Sequence, residues 1–180
     1  ANIGINSIFA STESKDVYSI EPHPVNCSYL SLNRSINKSK ISIYQCALSD
    51  ESRYIKIAGP RGGLLADGSA ALEGYDVPNK AGPGDISKKI DVRAERGDRL
   101  INDQNMNIPN VIKIDVEGAE YRVIKGLSKT LKRKECKILY CEIHKGRSKK
   151  ETIEEELSKY GFSIEVIDER DYCTTIKSKK

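Results

Sequence analysis

One stretch, Val111–Tyr121, constrains the fold of this chain more than any other. It begins with an apolar, mostly β-branched run, Val111–Ile114, which is typical of a strand buried in a sheet. Carboxylates then cluster around Gly118, and apolar residues resume at spacings of three and four, which place them on one helix face. Those residues are Ala119, Val123, Ile124, Leu127 and Leu131. The stretch therefore predicts a strand, an acidic turn and a helix.

The acidic turn is a candidate functional site because of its predicted place in the sheet. Ligands of open α/β sheets bind outside the carboxyl ends of the strands, and Asp115 and Glu117 follow such an end. A later strand, Lys137–Ile143, ends in Glu142 and His144, which are two residues apart and so point to the same side. We expect that side to meet Asp115 and Glu117.

The segment Lys113–Glu120, KIDVEGAE, resembles the signature of the FkbM-type methyltransferase family. Other parts match in the same order, namely Ala1–Gly4, Glu21–Pro22, Ala47–Asp50 and Glu142–His144. The resemblance implies an α/β fold of the class I methyltransferase, Rossmann-like type. This fold has a mostly parallel sheet flanked by helices and a C-terminal antiparallel hairpin. It also implies an enzyme that uses S-adenosylmethionine, usually for O-methylation, and releases S-adenosylhomocysteine.

The cofactor-binding residues are expected at the first turn and at the ends of the predicted strands. Gly4 lets a ligand approach the backbone without a Cβ in the way, and in the resembled family this turn cradles the methionine part of the cofactor. The Glu21 carboxylate can accept both ribose hydroxyls. From the residues alone, a plain helix start at Gly4 and an exposed acidic turn at Glu21 remain alternatives. The small apolar pair Ala47–Leu48 suits an adenine face. The full predicted set is Asn2, Gly4, Glu21, Pro22, Ala47, Leu48 and Asp115.

The predicted catalytic residues are His144, Glu117 and Glu142. We expect Asp115 to lie beside the sulfonium and amino group of the cofactor. His144 has the ordinary pKa that suits a base near neutral pH, and Glu142 can hold its tautomer, although a structural histidine is an equal alternative. The carboxylates could hold Mg²⁺, but nothing in the sequence fixes that geometry, so no metal is predicted.

The first half of the chain contains further strand and helix patterns. Strands are expected at Asp16–Ile20 and Ile41–Leu48. Between them a helix starts at Pro24 and carries an apolar stripe that we expect to pack in the core. The stripe consists of Val25, Tyr29, Leu32 and Ile36. An extra strand at Arg53–Ala58 is expected to pair with Lys89–Ala94.

The remaining patterns predict a loop, a cap, a helix and a hairpin. The segment 59–88 is rich in glycine and proline and predicts a flexible lid or, equally, a disordered insertion. Asp98 is expected to cap a short helix. A helix over Glu151–Tyr160 should bury Ile153 and Leu157 and stop at Gly161. Alternating residues at 162–167 and 172–176 predict the closing antiparallel hairpin.

Length and composition are those of a globular domain. The 180 residues predict one methyltransferase domain, 1–180, that lacks its first strand because the sequence begins directly at the glycine turn. We therefore expect an N-terminally truncated fragment. The sequence has no apolar run long enough to span a membrane, and its five cysteines are expected to be reduced buried thiols. These observations predict a cytoplasmic protein that binds neither membrane nor nucleic acid. The basic run Lys177–Lys180 is expected to be a frayed terminus.

The expected function is O-methylation of a hydroxyl on a small molecule or glycan, with a homodimer left open. An NAD(P)-dependent Rossmann oxidoreductase is an alternative because Glu21 would serve that cofactor equally well. A non-catalytic binding domain is the other alternative. The acidic turn and the closing hairpin argue against the first, and the lack of aromatic–basic platforms argues against a nucleic-acid module.

Overall fold

The computed structural model describes residues 1–58 and 89–180, so the predicted lid at 59–88 lies outside the described residues. The helices of the described part are α1 (Ile5–Glu13), α2 (Pro24–Ile36), α3 (Gly97–Asp103), α4 (Glu120–Gly126) and α5 (Lys150–Ser158). None of the helices found in these two ranges has the length and apolar character needed to cross a membrane.

The strands form three sheets. The strands are β1 (Val17–Ile20), β2 (Ile41–Tyr44), β3 (Ala47–Ser49), β4 (Arg53–Ala58), β5 (Lys89–Arg96), β6 (Val111–Ile114), β7 (Ile138–His144), β8 (Ser163–Glu169) and β9 (Cys173–Lys179). The sheet orders are β1-β2, β3-β5-β4 and β6-β7-β9-β8. The pairs β1–β2 and β6–β7 are parallel, whereas β9 is antiparallel to both β7 and β8. The chain is therefore a mixed α/β fold, as predicted, and the closing hairpin is present.

The described chain forms two compact units. Unit 1 comprises Ala1–Ala47 and the described part of Arg53–Ala94, and unit 2 comprises Leu48–Ser52 and Glu95–Lys180. The single-domain organisation expected from the length stays a prediction.

Unit 2 has a continuous apolar core on which the predicted helix stripe lies. Every residue of that stripe is at most 4% exposed. Most of the stripe joins Leu139 and Ile143 of β7 and the helix residues Ile153 and Leu157 in one cluster. The periodicities of α4 and α5 are thus confirmed, and Gly161 adopts the positive φ of +84° that ends α5.

The stripe predicted for α2 in unit 1 is wrong. Val25, Tyr29, Leu32 and Ile36 are between 36% and 68% exposed, and the buried face is instead Asn26, Cys27 and Leu30. Polar contacts set this rotation, because Asn26 Nδ2 donates to Glu21 and Cys27 Sγ to the Glu21 carbonyl. Leu30 packs against Gly4, where a Cβ would lie 2.1 Å from its Cδ1.

The strand expected over Ile41–Leu48 is interrupted. It forms β2 and β3, because the carbonyl of Tyr44 accepts the Cys46 N–H at 3.1 Å and turns the chain between them. The extra pairing is confirmed residue for residue, with Arg53 opposite Ala94 and Ala58 opposite Lys89.

Two expectations about charged residues in unit 2 also need correction. Asp98 does not cap α3, whose N-cap is Arg96. Its carboxylate instead accepts hydrogen bonds from Ser128, Lys129 and Thr130. The basic run at the end of the chain is not frayed, because β9 extends to Lys179 and the ammonium of Lys180 donates to the carbonyls of Leu131 and Arg133.

Candidate active site

The turn after β6 is held in an unusual backbone conformation. Glu117 has a φ of +56° and Gly118 a φ of +110°, and such positive values disfavour side chains with a Cβ. At Gly118 a Cβ would also approach the Cβ of Arg147 to 2.8 Å. Glycine is therefore required at position 118 for two reasons: the positive φ, and the close approach of Arg147 in the loop after β7.

The end of β7 brings its side chains to this turn, as predicted. Nε2 of His144 lies 3.4 Å from Glu117 Oε2 and 3.8 Å from Glu142 Oε1. Asp115, Glu117 and His144 each place one potential ligand atom within 4.8 Å of the others. The structure thus brings together the predicted residues Asp115, Glu117, Glu142 and His144, all in unit 2.

The buried side chain of Glu120 connects the residues of this cluster through hydrogen bonds. It is fully buried, and its Oε1 accepts the Gly118 N–H at 2.8 Å and lies 2.9 Å from Nδ1 of His144. Its Oε2 accepts the hydroxyl of Ser148. A buried carboxylate is stable only when it is paired and hydrogen-bonded, and here three different segments supply the partners.

The environment of His144 strongly favours its charged form. Burial opposes protonation, but hydrogen bonds and charges from Glu117 and Glu120 outweigh it and raise the pKa of His144 to about 10. The imidazole is therefore protonated at neutral pH and can donate through both ring nitrogens. A protonated ring cannot accept a proton, so in this arrangement the neighbouring carboxylates are the groups able to act as a base.

Further cations balance the carboxylates of the cluster. Arg147 Nη1 donates to the Glu117 side chain at 3.1 Å and to its carbonyl at 3.0 Å, and Lys113 Nζ lies 2.6 Å from Asp115. The spacing of Asp115, Glu117 and His144 would suit a cation, but Asp115 and Glu117 are already ion-paired, and a protonated His144 has no free nitrogen lone pair to offer a metal. We therefore assign no metal to the cluster.

A second polar cluster surrounds Glu21 in unit 1. Its Oε1 accepts from the His23 N–H at 2.9 Å and from Asn26 Nδ2 at 3.2 Å, and its Oε2 accepts the Asn2 N–H at 2.7 Å. Asn2 Oδ1, His23 Nδ1 and Asn26 Oδ1 are buried and have no hydrogen-bond partner among the described residues. Burial lowers the pKa of His23 against the opposing charge of Glu21, which favours the neutral ring.

The other predicted cofactor residues take different positions. Gly4 has a φ of +96° and packs on Leu30, and Pro22 is half-buried between β1 and α2. Ala47 is buried, whereas Leu48 belongs to unit 2 and packs partly buried against its core. Their roles toward a cofactor stay predictions.

Sequence reasoning missed Ser148, Arg147 and Asn26 as members of these clusters, and it counted Glu120 among the carboxylates around Gly118 without giving it a role. For Glu120 the signal was present, because it falls on the buried side of the α4 stripe, where a carboxylate needs a partner. Arg147 and Ser148 follow Gly146 in a loop, and no spacing rule links them to a turn thirty residues earlier. Asn26 was missed because the predicted buried face of α2 was the wrong one.

Comparison with known proteins identifies the family to which this chain belongs. Residues 1–164 match the model of the methyltransferase FkbM domain, and the chain belongs to the FkbM methyltransferase family. It is also 26% identical over 166 residues to the hexuronic acid methyltransferase AglP of Haloferax volcanii. The match covers 92% of this chain and 62% of that protein, so the chain spans less than two thirds of the relative's length. No solved structure matches the chain significantly.

Proposed function

We propose that this protein is an S-adenosylmethionine-dependent methyltransferase that methylates an oxygen of a sugar or a similar small molecule. The family match over residues 1–164 carries this proposal. The relative is named for methylating hexuronic acid, which supports a sugar-type acceptor. We further propose that the fold is Rossmann-like, on the support of the parallel pairs β1–β2 and β6–β7.

The cluster around Glu21 has the chemistry to bind the ribose of the cofactor. Ribose hydroxyls are hydrogen-bond donors, and this cluster combines a carboxylate with two buried amide oxygens and one histidine ring nitrogen that lack partners in the described chain. Unsatisfied buried acceptors each cost about 1–3 kcal/mol, so a donor-rich ligand is favoured there. Glu21 would hold the ribose, with Asn2 and Gly4 in the adjoining turn. The bound cofactor would supply an electrophilic methyl group on its sulfonium.

Because His144 is protonated, it would act in unit 2 as a hydrogen-bond donor, and a carboxylate would act as the base. Its Nε2–H would orient the acceptor oxygen, and a carboxylate would receive the acceptor's proton. Glu142 suits that second role better than Glu117, because Glu117 is bound by Arg147 at 3.1 Å while Glu142 lies 3.8 Å from His144. A positioned base contributes about 10²–10⁴-fold to rate. Asp115 keeps its proposed role toward the cofactor.

Calorimetric titration with S-adenosylhomocysteine tests the cofactor. We expect saturable binding, no binding of NAD, and an affinity about tenfold or more lower for Glu21→Gln, since a hydrogen bond to a charged group is lost. Glu13→Gln, at an exposed position of the same unit, is the matched control and should bind normally. Binding of NAD alone, or binding that Glu21→Gln leaves unchanged, would refute the proposal.

Turnover with a sugar acceptor tests the roles in unit 2. Glu142→Gln should lower kcat by about 10²-fold or more and leave the affinity for S-adenosylhomocysteine unchanged. The exposed Glu155→Gln is the control. Unchanged turnover in Glu142→Gln would remove Glu142 as the base and leave Glu117.

A further inference from the structure

Unit 2 contains a cavity that the proposed methyl transfer does not use. Its volume is about 820 Å³, within the range of about 300–1,000 Å³ typical of small-molecule sites. Ile108 on its wall precedes the start of β6, and Thr130 and Arg133 precede the start of β7. Asp115 and His144 lie at the carboxyl ends of these two parallel strands. The cavity and the candidate active site are therefore at opposite ends of the strands.

The charged lining of the cavity is mostly basic. Arg96, Arg99, Lys129 and Arg133 line it, against one carboxylate, Asp98. The carboxylate of Asp98 is already hydrogen-bonded within the chain. Its Oδ1 accepts from the N–H and hydroxyl of Thr130 at 2.8 and 2.7 Å, and its Oδ2 accepts from the Lys129 N–H at 2.8 Å and the Ser128 hydroxyl at 3.5 Å. Asp98 thus fixes the Lys129–Thr130 backbone and has little capacity left to bind a ligand.

The cations of the lining keep donors available. Arg96 Nη1 donates to the carbonyl of Asp50, a neutral acceptor. Arg99 and Arg133 each pair with an exposed carboxylate, at 3.1 Å to Asp103 and 2.9 Å to Glu135, and Nε of Arg99 also lies 4.0 Å from the buried Glu95. Exposed pairs of this kind contribute little to stability, and a guanidinium has five N–H donors. An incoming oxyanion can therefore be bound by the remaining donors or displace these partners.

The uncharged residues of the lining also restrict which molecules can bind in the cavity. Ile101, Met106 and Ile108 provide an apolar wall, and the amides of Asn102 and Asn105 can pair with hydroxyl groups. Together with the arginines, which suit phosphate and carboxylate bidentately, this lining fits a small polar molecule that carries one oxyanion.

We propose that this cavity, lined by Arg96, Arg99, Lys129 and Arg133, is a second binding site that takes a sugar-sized molecule through its oxyanion. Phosphate and carboxylate share this chemistry, and the choice between them is made by experiment. The site lies apart from the groups that we assign to methyl transfer, and the proposal does not depend on that assignment.

Binding at constant ionic strength tests the site. The chain is titrated by calorimetry with inorganic phosphate, glucose 6-phosphate, glucuronate and uncharged glucose. Each added anion replaces chloride in the buffer, so that the ionic strength and the screening of charges stay constant. We expect saturable binding of glucose 6-phosphate or glucuronate and none of glucose. The tighter of the two anions identifies the oxyanion class.

Matched variants separate this site from general charge attraction. The double variant Lys129→Gln and Arg133→Gln removes two exposed lining cations and should weaken anion binding about tenfold or more. Lys132→Gln and Lys134→Gln together remove the same charge from neighbouring exposed positions outside the lining and should have no such effect. Thermal melting checks that both variants fold. Absent saturable binding, or equal weakening in both double variants, would overturn the proposal.

Discussion

Each unit contains one of the two histidines of the chain, and each histidine lies beside a buried glutamate. The pKa of His23 is lowered, mainly by burial, whereas the pKa of His144 is raised to about 10. The difference lies in which atoms meet the glutamate. His23 gives Glu21 its backbone N–H and leaves Nδ1 buried without a partner in the described chain, but His144 turns its ring nitrogen toward Glu120.

This contrast shows that residue type and burial do not determine the charge of a site. The carboxylate of Glu21 meets N–H donors and the N-terminal ammonium of Ala1, which lies 3.1 Å from its Oε2. Buried polar atoms beside it have no partner in the described chain, which suits a ligand with hydroxyl donors. The ring of His144 balances Glu120 with a positive charge, which builds a cationic donor into the second cluster. The cluster in unit 1 therefore keeps unpartnered buried atoms beside its carboxylate, whereas the cluster in unit 2 pairs its carboxylates with a charged histidine.

The largest expected effect is on the charged network. Removing one member of a buried ion pair typically costs about 3–5 kcal/mol, because the partner's charge stays buried without compensation. Glu120→Ala removes the acceptor of His144, Gly118 and Ser148, so we expect a loss of that size in the free energy of unfolding, measured by urea denaturation. Glu155→Ala should change it by less than about 0.5 kcal/mol. A loss below 1 kcal/mol for Glu120→Ala would show that the network does not stabilise unit 2.

The two histidines should respond to pH in opposite directions. An unfolded histidine titrates near pH 6.5, and His144 in the folded chain titrates at about 10. Its contribution to stability is therefore fully present below pH 6.5 and is lost as pH rises toward 10. The folded pKa of His23 is lowered, so its effect is a loss of stability as pH falls below 6.5.

Imidazole proton signals in NMR check both directions, since the chain has only two histidines. We expect one ring to stay protonated up to about pH 10 and the other to stay neutral into the acid range. Denaturation of wild type and His144→Gln between pH 7 and 10 provides the energetic test. The decline in stability over this range should be smaller in the variant, and parallel declines would contradict the role of His144.

A smaller effect is expected in the cluster around Glu21. Asn26→Ala removes one hydrogen bond to Glu21, at 3.2 Å, together with a buried acceptor that has no partner in the described residues. A hydrogen bond to a charged group contributes about 1.5–3 kcal/mol. Removing the unpartnered acceptor offsets part of that loss, so the variant should lose about 1–2 kcal/mol of unfolding free energy. Asn37→Ala, at the exposed end of α2, is the control. A loss as large as that of Glu120→Ala would erase the contrast between the clusters.

The sequence predicted the local features of both units better than their packing. Alternation and strand-end position were enough to place Glu142 and His144 beside Glu117, because strand geometry fixes the side to which residues point. The charge of His144 was not predictable, since it depends on Glu120 and Glu117 meeting both ring nitrogens. The same limit applies to α2, where spacing identified an apolar face correctly but could not show that Glu21 and Gly4 would turn a different face inward.

The smallest expected effect comes from that exposed face. Leu32 is 53% exposed while Leu30, two residues earlier in α2, is fully buried against Gly4. Leu32→Ser should therefore change the free energy of unfolding by less than about 0.5 kcal/mol, whereas Leu30→Ala should cost about 2–5 kcal/mol by leaving a cavity. Urea denaturation of the two variants measures both. A loss of 2 kcal/mol or more in Leu32→Ser would mean that this face is covered in solution, and the stripe would then resemble that of α4 after all.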